Sequence, residues 1–351
     1  MNLLSKLDNT VLSEDLTKIK KNILKLLSEI EYHQHQVVKY SLNGSIESIN
    51  KELLRKELKQ ILETKTIERT KYYLKRLVKG LSVQKESKIN DLNLNRWKEY
   101  DDIITDSLWI FDKRDTSGMH KSGYWGNFIP QIPNQLLRRF TKKGEWVLDP
   151  FLGSGTTLIE CKRLGRNGIG IELNQAVAKS SGSIIEKEKN PNNITAKIIS
   201  GNSGKVNFNN ELKTLKINSF QFIIMHPPYW DIIKFSNKKD DLSNANSAQS
   251  FLKMFGDVVE NIYPHLDKKR YCAVVIGDKY GSGEWIPLGF YVMQEMINKG
   301  FKLKSTIIKN FDQTTAKRNQ KELWRYRALA GGFYVFKHEY IFLFQKQEMK
   351  K

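Results

Sequence analysis

The chain has 351 residues, 40% of them hydrophobic and 27% charged, a balance typical of a soluble globular protein with one large domain or two ordinary ones. Its two cysteines lie far apart without a CxxC spacing, which excludes a disulfide scaffold and a zinc ribbon, and no apolar run of about 18 residues could span a bilayer. The net charge of +20 indicates either a polyanionic partner, most often nucleic acid, or a lysine-rich proteome.

The N-terminus, MNLLSKLDNTVLSEDL, interrupts its apolar residues with acids and contains no signal-peptide core. We therefore expect no membrane association and a cytoplasmic protein, associated with the nucleoid if its source is bacterial. The six histidines show no metal-ligand spacing beyond the pair HQH at 33–35, which is more simply a polar helix face. No metal is expected.

Residues 12–100 carry apolar residues at three- and four-residue spacing, as in LTKIKKNILKLLSEIEY, which predicts packed amphipathic helices. The stretch KTIERTKYYLKRLVK (65–79) is more basic and interleaves two tyrosines, so it is the N-terminal candidate for contacts with phosphates. We place a helical N-terminal region at 1–112, with a role in DNA recognition or in packing.

From about residue 110, short β-rich runs alternate with helical ones, which predicts an α/β fold with a mostly parallel sheet and helices on both faces, at 113–351. The runs are WVLD (146–149), GIGIE (168–172), ITAKIIS (194–200), FQFIIM (220–225), YCAVVIG (271–277), FKLKSTII (301–308) and YIFLF (340–344). The last two, with a predicted loop rather than a crossover helix between them, are expected to pair antiparallel at the end of the sheet.

A glycine-rich loop, DPFLGSGTT, follows the first of these strands. Gly153 and Gly155 let the backbone turn sharply and approach a ligand beyond the carboxyl end of the strand, where α/β sheets bind ligands. The loop has neither the GK[ST] ending of a phosphate-binding loop nor the pattern GxGxxG. The second strand ends in Glu172, an acid that can accept hydrogen bonds from ribose hydroxyls.

DPFLGSGTT followed by GIGIEL resembles motif I and the ribose-binding acid of class I S-adenosylmethionine-dependent methyltransferases. It is most similar to the DNA amino-methyltransferases that modify cytosine N4 or adenine N6. The resemblance covers roughly residues 118–346 and implies a Rossmann-like fold, S-adenosylmethionine as cofactor and S-adenosylhomocysteine as product. The residues that it implies for cofactor binding are Phe128, Ile129 and Pro130 in the upstream segment GNFIPQIPNQLLRRF, then Asp149, Pro150, Phe151, Gly153, Ser154, Gly155, Thr156, Thr157, Glu172, Asn202 and Ser203.

The fourth strand leads into His226-Pro227-Pro228-Tyr229, which resembles the tetrapeptide [DNS]-P-P-[YFW] of the same family. The resemblance implies that the first side chain and the following main-chain carbonyl accept hydrogen bonds from the exocyclic amine of a base flipped out of the duplex. The prolines would fix these acceptors in advance. Tyr229 would stack on the base, with Trp230 as a further candidate.

Two positions depart from the family pattern. His226 stands where the family has Asp, Asn or Ser; a neutral imidazole can accept a hydrogen bond, whereas a protonated one can only donate. Activity is therefore expected to fall as the pH drops through the pKa of His226, and a profile that stays flat from about pH 8 to about pH 5.5 would contradict this role. Asn202 replaces an acid that contacts the adenine amine, and its amide oxygen can still accept.

The sequence contains no large insertion that could recognise the target, either between the glycine loop and the His226 segment or after the last strand. Besides the N-terminal region, the candidate is KNFDQTTAKRNQKELWRYRALAGGF (309–333), which reads as a basic loop. Its Arg318, Trp324, Arg325 and Arg327 are candidates for contacts with bases or phosphates, and a solvated hairpin loop is the alternative.

Three functions remain open. The first is a site-specific methyltransferase of double-stranded DNA, with a cognate restriction or defence partner or as an orphan modifier; Tyr229 followed by Trp230 slightly favours cytosine N4 over adenine N6. The second applies the same chemistry to RNA guanine N2 or to protein glutamine. The third is an inactive protein that binds S-adenosylmethionine and DNA or regulates, suggested by His226 and Asn202.

Overall fold

The chain divides into two compact units, Met1–Ile103 and Ile104–Lys351. The computed structural model describes residues 2–32, 34–120, 124–281, 283–311 and 321–347. This division places residues 104–112 with the second unit, where Leu108–Trp109 forms a strand of the main sheet. Among the residues that the structure describes, no helix combines the length and the apolar character that crossing a membrane requires.

The first unit is built mainly of amphipathic helices around its own core of leucine and isoleucine side chains. Its elements are α1 (Leu3–Val11), α2 (Leu16–Glu31), β1 (Val37–Leu42), β2 (Ser45–Asn50), α3 (Lys51–Leu62) and α4 (Ile67–Ser82). Polar side chains cap the helices: Asp15 accepts hydrogen bonds from the first turn of α2, and Asn50 does so for α3. The predicted helical character of this region is confirmed.

The antiparallel hairpin β1–β2 corrects the prediction of helix throughout residues 12–100. Its turn consists of Asn43 and Gly44, with φ of +51° and +84°. Two consecutive left-handed residues are the geometry that Asn-Gly favours in a two-residue hairpin, because the twist of such a turn matches that of the strands. Val38 and Tyr40 alternate with exposed residues and fill the core. The Asn-Gly pair was therefore a signal for this hairpin in the sequence.

The second unit is an α/β sheet flanked by helices. Its strands are β3 (Leu108–Trp109), β4 (Trp146–Asp149), β5 (Asn167–Glu172), β6 (Ala196–Ser200), β7 (Phe220–Met225), β8 (Leu266–Ile276), β9 (Lys279–Gly281), β10 (Glu284–Ile286), β11 (Phe301–Asn310) and β12 (His338–Lys346). Its helices are α5 (Gln131–Phe140), α6 (Thr156–Leu164), α7 (Gln175–Lys187), α8 (Phe208–Leu215), α9 (Ala248–Ile262), α10 (Leu288–Asn298) and α11 (Lys321–Gly331).

The described main sheet has the order β3-β11-β12-β8-β7-β4-β5-β6, with β9 and β10 forming a separate hairpin. Strands β4 to β8 run parallel, while β12 lies antiparallel between β8 and β11. Both faces are covered, so central residues such as Ile169, Phe222 and Val274 are fully buried. The predicted α/β fold and the antiparallel pairing of the last two runs are confirmed.

The order of the sheet reverses at β4, which lies between β5 and β7. Open α/β sheets bind ligands at such a switch point, outside the carboxyl ends of the strands. Strands β4 and β7 pair in parallel, with Val147 opposite Phe222 and Leu148 opposite Ile223. The glycine loop after β4 and the His226 segment after β7 therefore leave the sheet at the same edge.

The segment predicted as a basic loop at 309–333 contains a helix instead, α11. Its sequence, KELWRYRALAG, is rich in good helix formers, and Gly332 follows with a φ of +65°, as is common after a helix end. Trp324, Arg325 and Arg327 thus lie on this helix, whereas Arg318 lies outside the described residues.

Candidate active site

A cavity of about 1070 Å³ lies at this edge of the sheet and contains both sequence motifs. From the glycine-loop side, its lining includes the predicted residues Phe128, Ile129, Pro150, Phe151, Gly153, Ser154, Thr156, Glu172, Asn202 and Ser203. From the other side it includes His226, Pro227, Pro228 and Tyr229. The motifs after β4 and β7 are therefore two walls of one space.

Asp149, at the end of β4, shapes the loop from below rather than lining the cavity. It is 1% exposed; its carboxylate accepts hydrogen bonds from Thr157 Oγ1 at 2.5 Å and from the amide of Phe151 at 3.0 Å. Burial raises the pKa of Asp149 to about 7. Gly155 is also structural: its φ is +84°, and a Cβ there would lie 2.6 Å from Ile185.

Glu172, at the end of β5, is fixed to the glycine loop. Its Oε2 accepts a hydrogen bond from the amide of Gly153 at 2.9 Å and its Oε1 accepts one from the amide of Asn174 at 2.8 Å. Burial raises the pKa of this carboxyl group. Each oxygen can accept a further hydrogen bond, so Glu172 remains an acceptor at the cavity wall.

The opposite wall contains a hydrogen-bonded row of side chains from three segments. His226 Nε2 lies 3.1 Å from Tyr229 Oη, which donates to Glu339 Oε2 at 2.7 Å. Glu339 Oε1 lies 3.1 Å from the ammonium of Lys309. The ring of Phe128 packs on the His226 imidazole, with 5.0 Å between centroids. All five side chains line the cavity.

Comparison with known proteins assigns the family of the chain. The model of the N6/N4 methyltransferase family, described as DNA methylase, matches residues 9–183 and 220–351. The chain belongs to the DNA methylase family. The predicted recognition is thereby confirmed, and the cofactor of these methylases is S-adenosylmethionine.

Individual relatives match over short segments, so the chain spans at most about a third of the length of the curated relatives that it matches. The Type II methyltransferase M.MjaII of Methanocaldococcus jannaschii is 46% identical over 56 residues, covering 16% of the chain and 10% of that protein. M2.DpnII of Streptococcus pneumoniae is 38% identical over 103 residues, covering 28% and 35%. Similar solved structures include TrmN from Thermus thermophilus (TM-score 0.40, 15% identity, 63% of the chain and 50% of TrmN) and a methyltransferase from Pyrococcus furiosus (0.40, 16%, 65% and 88%).

His226 is half-buried, with its ring surrounded by Phe128, Tyr229, Glu339 and Lys309. Burial lowers the pKa of His226 to about 4; Glu339 raises that pKa and Lys309 lowers it. The imidazole is therefore neutral at pH 7 and remains so well below pH 6. The expectation that activity falls between about pH 8 and about pH 5.5 is therefore corrected: the acid limit moves to more acidic pH, and a flat profile over that range is consistent with the acceptor role of His226.

Arg114 is a cavity residue that the motifs did not reveal. Its Nη1 donates to the carbonyl of Phe128 at 2.9 Å and to Asn127 Oδ1 at 3.2 Å. Its Nε and Nη2 are buried and have no hydrogen-bond partner in the part of the chain that the structure describes. Burial lowers the pKa of this guanidinium. Buried donors without a partner are costly, so this side chain is suited to an anionic ligand.

Asn202, after β6, stands beside a carboxylate from another segment. Its Oδ1 accepts from the amide of Gly204 at 2.8 Å, and its side chain is hydrogen-bonded to Asp240. Asp240 also pairs with Lys205 at 2.9 Å and lines the cavity. A carboxylate is therefore present next to position 202 although the residue itself is an amide.

An aromatic pair covers the glycine-loop side of the cavity. Tyr124 stacks on Phe235, with 6.2 Å between centroids. A Cβ at Gly126 would lie 2.8 Å from Phe235, and one at Gly153 would lie 3.1 Å from Tyr124. Glycine at these two positions thus permits Phe235 to pack closely on Gly126 and Tyr124 to pack closely on the glycine loop.

Trp230 is not among the described residues that line the cavity. Its indole Nε1 donates to the carbonyl of Ala245 at 2.7 Å, and the ammonium of Lys279 lies 3.9 Å from its ring centroid. The residue adopts a φ of +52°, rare for a bulky side chain. Through these contacts Trp230 anchors the turn after the two prolines. The expectation that Trp230 stacks on the base is therefore corrected.

Helix α11 also borders the cavity. Trp324 lines it, and the guanidinium of Arg327 lies 5.3 Å from the ring centroid of Trp324. Arg325 and Arg327 are exposed. Phe333, after the helix, stacks on Tyr280 with 4.1 Å between centroids, which fixes this segment at the cavity.

Proposed function

We propose that this methylase transfers the methyl group of S-adenosylmethionine to the exocyclic amine of a base extruded from duplex DNA. The observation that carries the proposal is the shared cavity at the β4–β7 switch point, lined by the glycine loop on one side and by His226 to Tyr229 on the other. When bound, S-adenosylmethionine supplies an electrophilic methyl group on a sulfonium, with S-adenosylhomocysteine as product.

The residues on the glycine-loop side of the cavity, which we call the cofactor half, fit this molecule chemically. Glu172 offers carboxylate oxygens for ribose hydroxyls, and the unpartnered donors of Arg114 suit the carboxylate of the amino-acid part. Asn202 with Asp240 offers acceptors for the adenine amine. Phe128, Phe151 and the remaining predicted lining residues supply apolar walls and backbone groups.

The side of the cavity that contains His226 to Tyr229, which we call the base half, fits the aromatic amine of a base. Neutral His226 is an acceptor for one amine hydrogen, and the main-chain carbonyl after it is a second acceptor held by Pro227 and Pro228. Such acceptors favour a nucleophilic, pyramidal nitrogen. Tyr229 is the aromatic residue of the motif at the cavity wall, and stacking on it would offset part of the cost of flipping the base. Cytosine N4 is favoured over adenine N6 on the sequence Tyr229-Trp230 alone.

Charge supports a nucleic acid substrate over a protein. The first 103 residues contain 20 Lys and Arg against 15 Asp and Glu, so +15 of the net +20 belongs to the unit with the cavity. The exposed arginines lie on α11, whose Trp324 lines that cavity, and they are proposed to contact DNA. The Type II names of the relatives suggest a role in restriction–modification.

The test is methyl incorporation from labelled S-adenosylmethionine into duplex DNA, RNA and protein by the full chain, followed by single-molecule sequencing of the DNA. We expect N4-methylcytosine or N6-methyladenine at a defined motif. Incorporation into RNA or protein alone would replace DNA as the substrate. Binding of S-adenosylmethionine without any incorporation would leave a regulatory protein.

A further inference from the structure

Lys309, Glu339, Tyr229 and His226 form a continuous row across the floor of the base half. Lys309 on β11 and Glu339 on β12 are directly opposite each other in the antiparallel ladder, and they are 6% and 8% exposed. Their ion pair leaves Glu339 Oε2 to accept the Tyr229 hydroxyl at 2.7 Å. His226 Nε2 then lies 3.1 Å from the same hydroxyl oxygen.

The donor and the acceptor of each hydrogen bond in this row can be assigned. An ionised carboxylate only accepts hydrogen bonds, and Glu339 forms an ion pair with the Lys309 ammonium through its other oxygen. Tyr229 has one hydroxyl proton, which it donates to Glu339. Its oxygen can then only accept from His226, so the proton of the neutral imidazole must be on Nε2.

The donor order matters because a neutral imidazole, unlike the side chain of Asp, has two tautomers. In the Nε2–H tautomer, Nδ1 carries a lone pair, which has no hydrogen-bond partner among the residues that the structure describes and is therefore the acceptor that the ring can offer to a ligand. In the other tautomer Nδ1 carries a proton and would oppose an amine hydrogen. A carboxylate or a serine hydroxyl at the same position needs no such control.

We propose that Glu339 is a positioning residue that holds His226, through Tyr229, in the Nε2–H tautomer, so that Nδ1 accepts a hydrogen of the target amine. The inference rests on the proposed function and explains how histidine serves at a position where the family has Asp, Asn or Ser. Lys309 is the counterion of Glu339.

The tautomer is measurable without substrate. In long-range ¹H–¹⁵N spectra of the ¹⁵N-histidine-labelled full chain at pH 7, His226 is expected to show a protonated Nε2 and an unprotonated Nδ1; His226→Asn identifies its signals among the six histidines. A protonated Nδ1, or an averaged pair of shifts, overturns the proposal whether or not the protein methylates DNA.

Glu339→Gln tests the direction of the row. The Lys309 ammonium attracts the amide oxygen, which turns the amide NH₂ toward Tyr229 and reverses each donor. His226 should switch to Nδ1–H, and kcat should fall on the order of 10- to 100-fold, with KM for S-adenosylmethionine and DNA changed much less. Unchanged shifts, or an unchanged kcat with switched shifts, overturn the proposal.

Two further variants separate positioning from folding. Tyr229→Phe keeps the ring but removes the hydroxyl, so His226 should show averaged shifts and kcat should fall even where Glu339→Gln does not fold. Tyr340→Phe removes a comparable buried bond, from Tyr340 Oη to Asp278 Oδ2 at 3.0 Å, and should leave the His226 shifts unchanged. If Tyr340→Phe also shifts His226, the control of the tautomer is not specific to the Glu339 row. A wild-type protein that shows the Nε2–H form but methylates no DNA contradicts the proposed function alone.

Discussion

His226 accepts a hydrogen bond from an amine only while its imidazole is unprotonated, so its surroundings set the acid limit of activity. Phe128 covers the ring, Tyr229 occupies Nε2, and the charges of Glu339 and Lys309 face it from β12 and β11 and oppose each other. The pKa of His226 is therefore lowered by burial to about 4. A position that first suggests a pH-sensitive enzyme thus becomes an acceptor throughout the neutral range.

The first prediction concerns the pH profile of methyl transfer. Since the neutral form of His226 dominates above its folded pKa of about 4, the ratio of kcat in the wild type to kcat in His226→Asn should stay flat from about pH 8 to about pH 5.5 and fall only as the pH approaches that value. Single-turnover rates at saturating DNA and S-adenosylmethionine measure this. His226→Asn provides the control, because an amide acceptor does not titrate. A midpoint near pH 6.5 in the wild type would show that the ring is solvated in the complex.

A second prediction at this scale concerns Arg114. Arg114→Gln should weaken S-adenosylmethionine binding by about 10- to 100-fold, because the variant cannot form charge-assisted hydrogen bonds to a carboxylate. Isothermal calorimetry with two probes isolates the contact: 5′-methylthioadenosine, which lacks the amino-acid part, should bind wild type and variant equally. Equal weakening of both probes would assign Arg114 to the structure of the cavity instead.

At the scale of elements, the sequence predicted what local pattern determines. Strands β4 to β8, β11 and β12 follow from apolar runs, and both motifs follow from strand ends, whereas the short strands β3, β9 and β10 were not predicted. Helix α11 and the β1–β2 hairpin were missed although good helix formers and Asn43-Gly44 were visible. The pairing of Lys309 with Glu339 could not be read, because it depends on the register of two strands joined by a long segment.

Helix α11 carries the third prediction. Arg325→Ala with Arg327→Ala should lower the affinity for duplex DNA and flatten the plot of log affinity against log salt, by about 0.9 for each phosphate that the variant no longer neutralises. Lys302→Ala with Lys304→Ala removes the same charge from the exposed opposite end of β11 and should leave the slope nearly unchanged. Equal slopes for the arginine pair and wild type would remove α11 from the interface.

At the scale of the whole molecule, charge is divided unevenly between the two units. The first unit carries little of the surplus, and the basic stretch at 65–79 uses several of its charges internally. The Arg76 guanidinium lies 4.8 Å from the Tyr73 ring centroid and 2.7 Å from Glu57, and Lys71 pairs with Glu14. This pattern favours helix packing over phosphate contact for these residues.

The last prediction tests that division. Arg76→Ala should lower the free energy of unfolding of the first unit by roughly 1–3 kcal/mol, because Glu57, 8% exposed, loses one of the two cations that pair with it in the described structure and keeps Lys98. DNA affinity at low salt should stay unchanged. Lys75→Ala, an exposed neighbour on the same helix, is the matched control and should alter neither quantity. Urea unfolding and DNA titration measure the two effects separately. A stable Arg76→Ala protein with weakened DNA binding would instead make α4 part of the DNA interface, since the charge would then be more valuable to a phosphate than to Glu57.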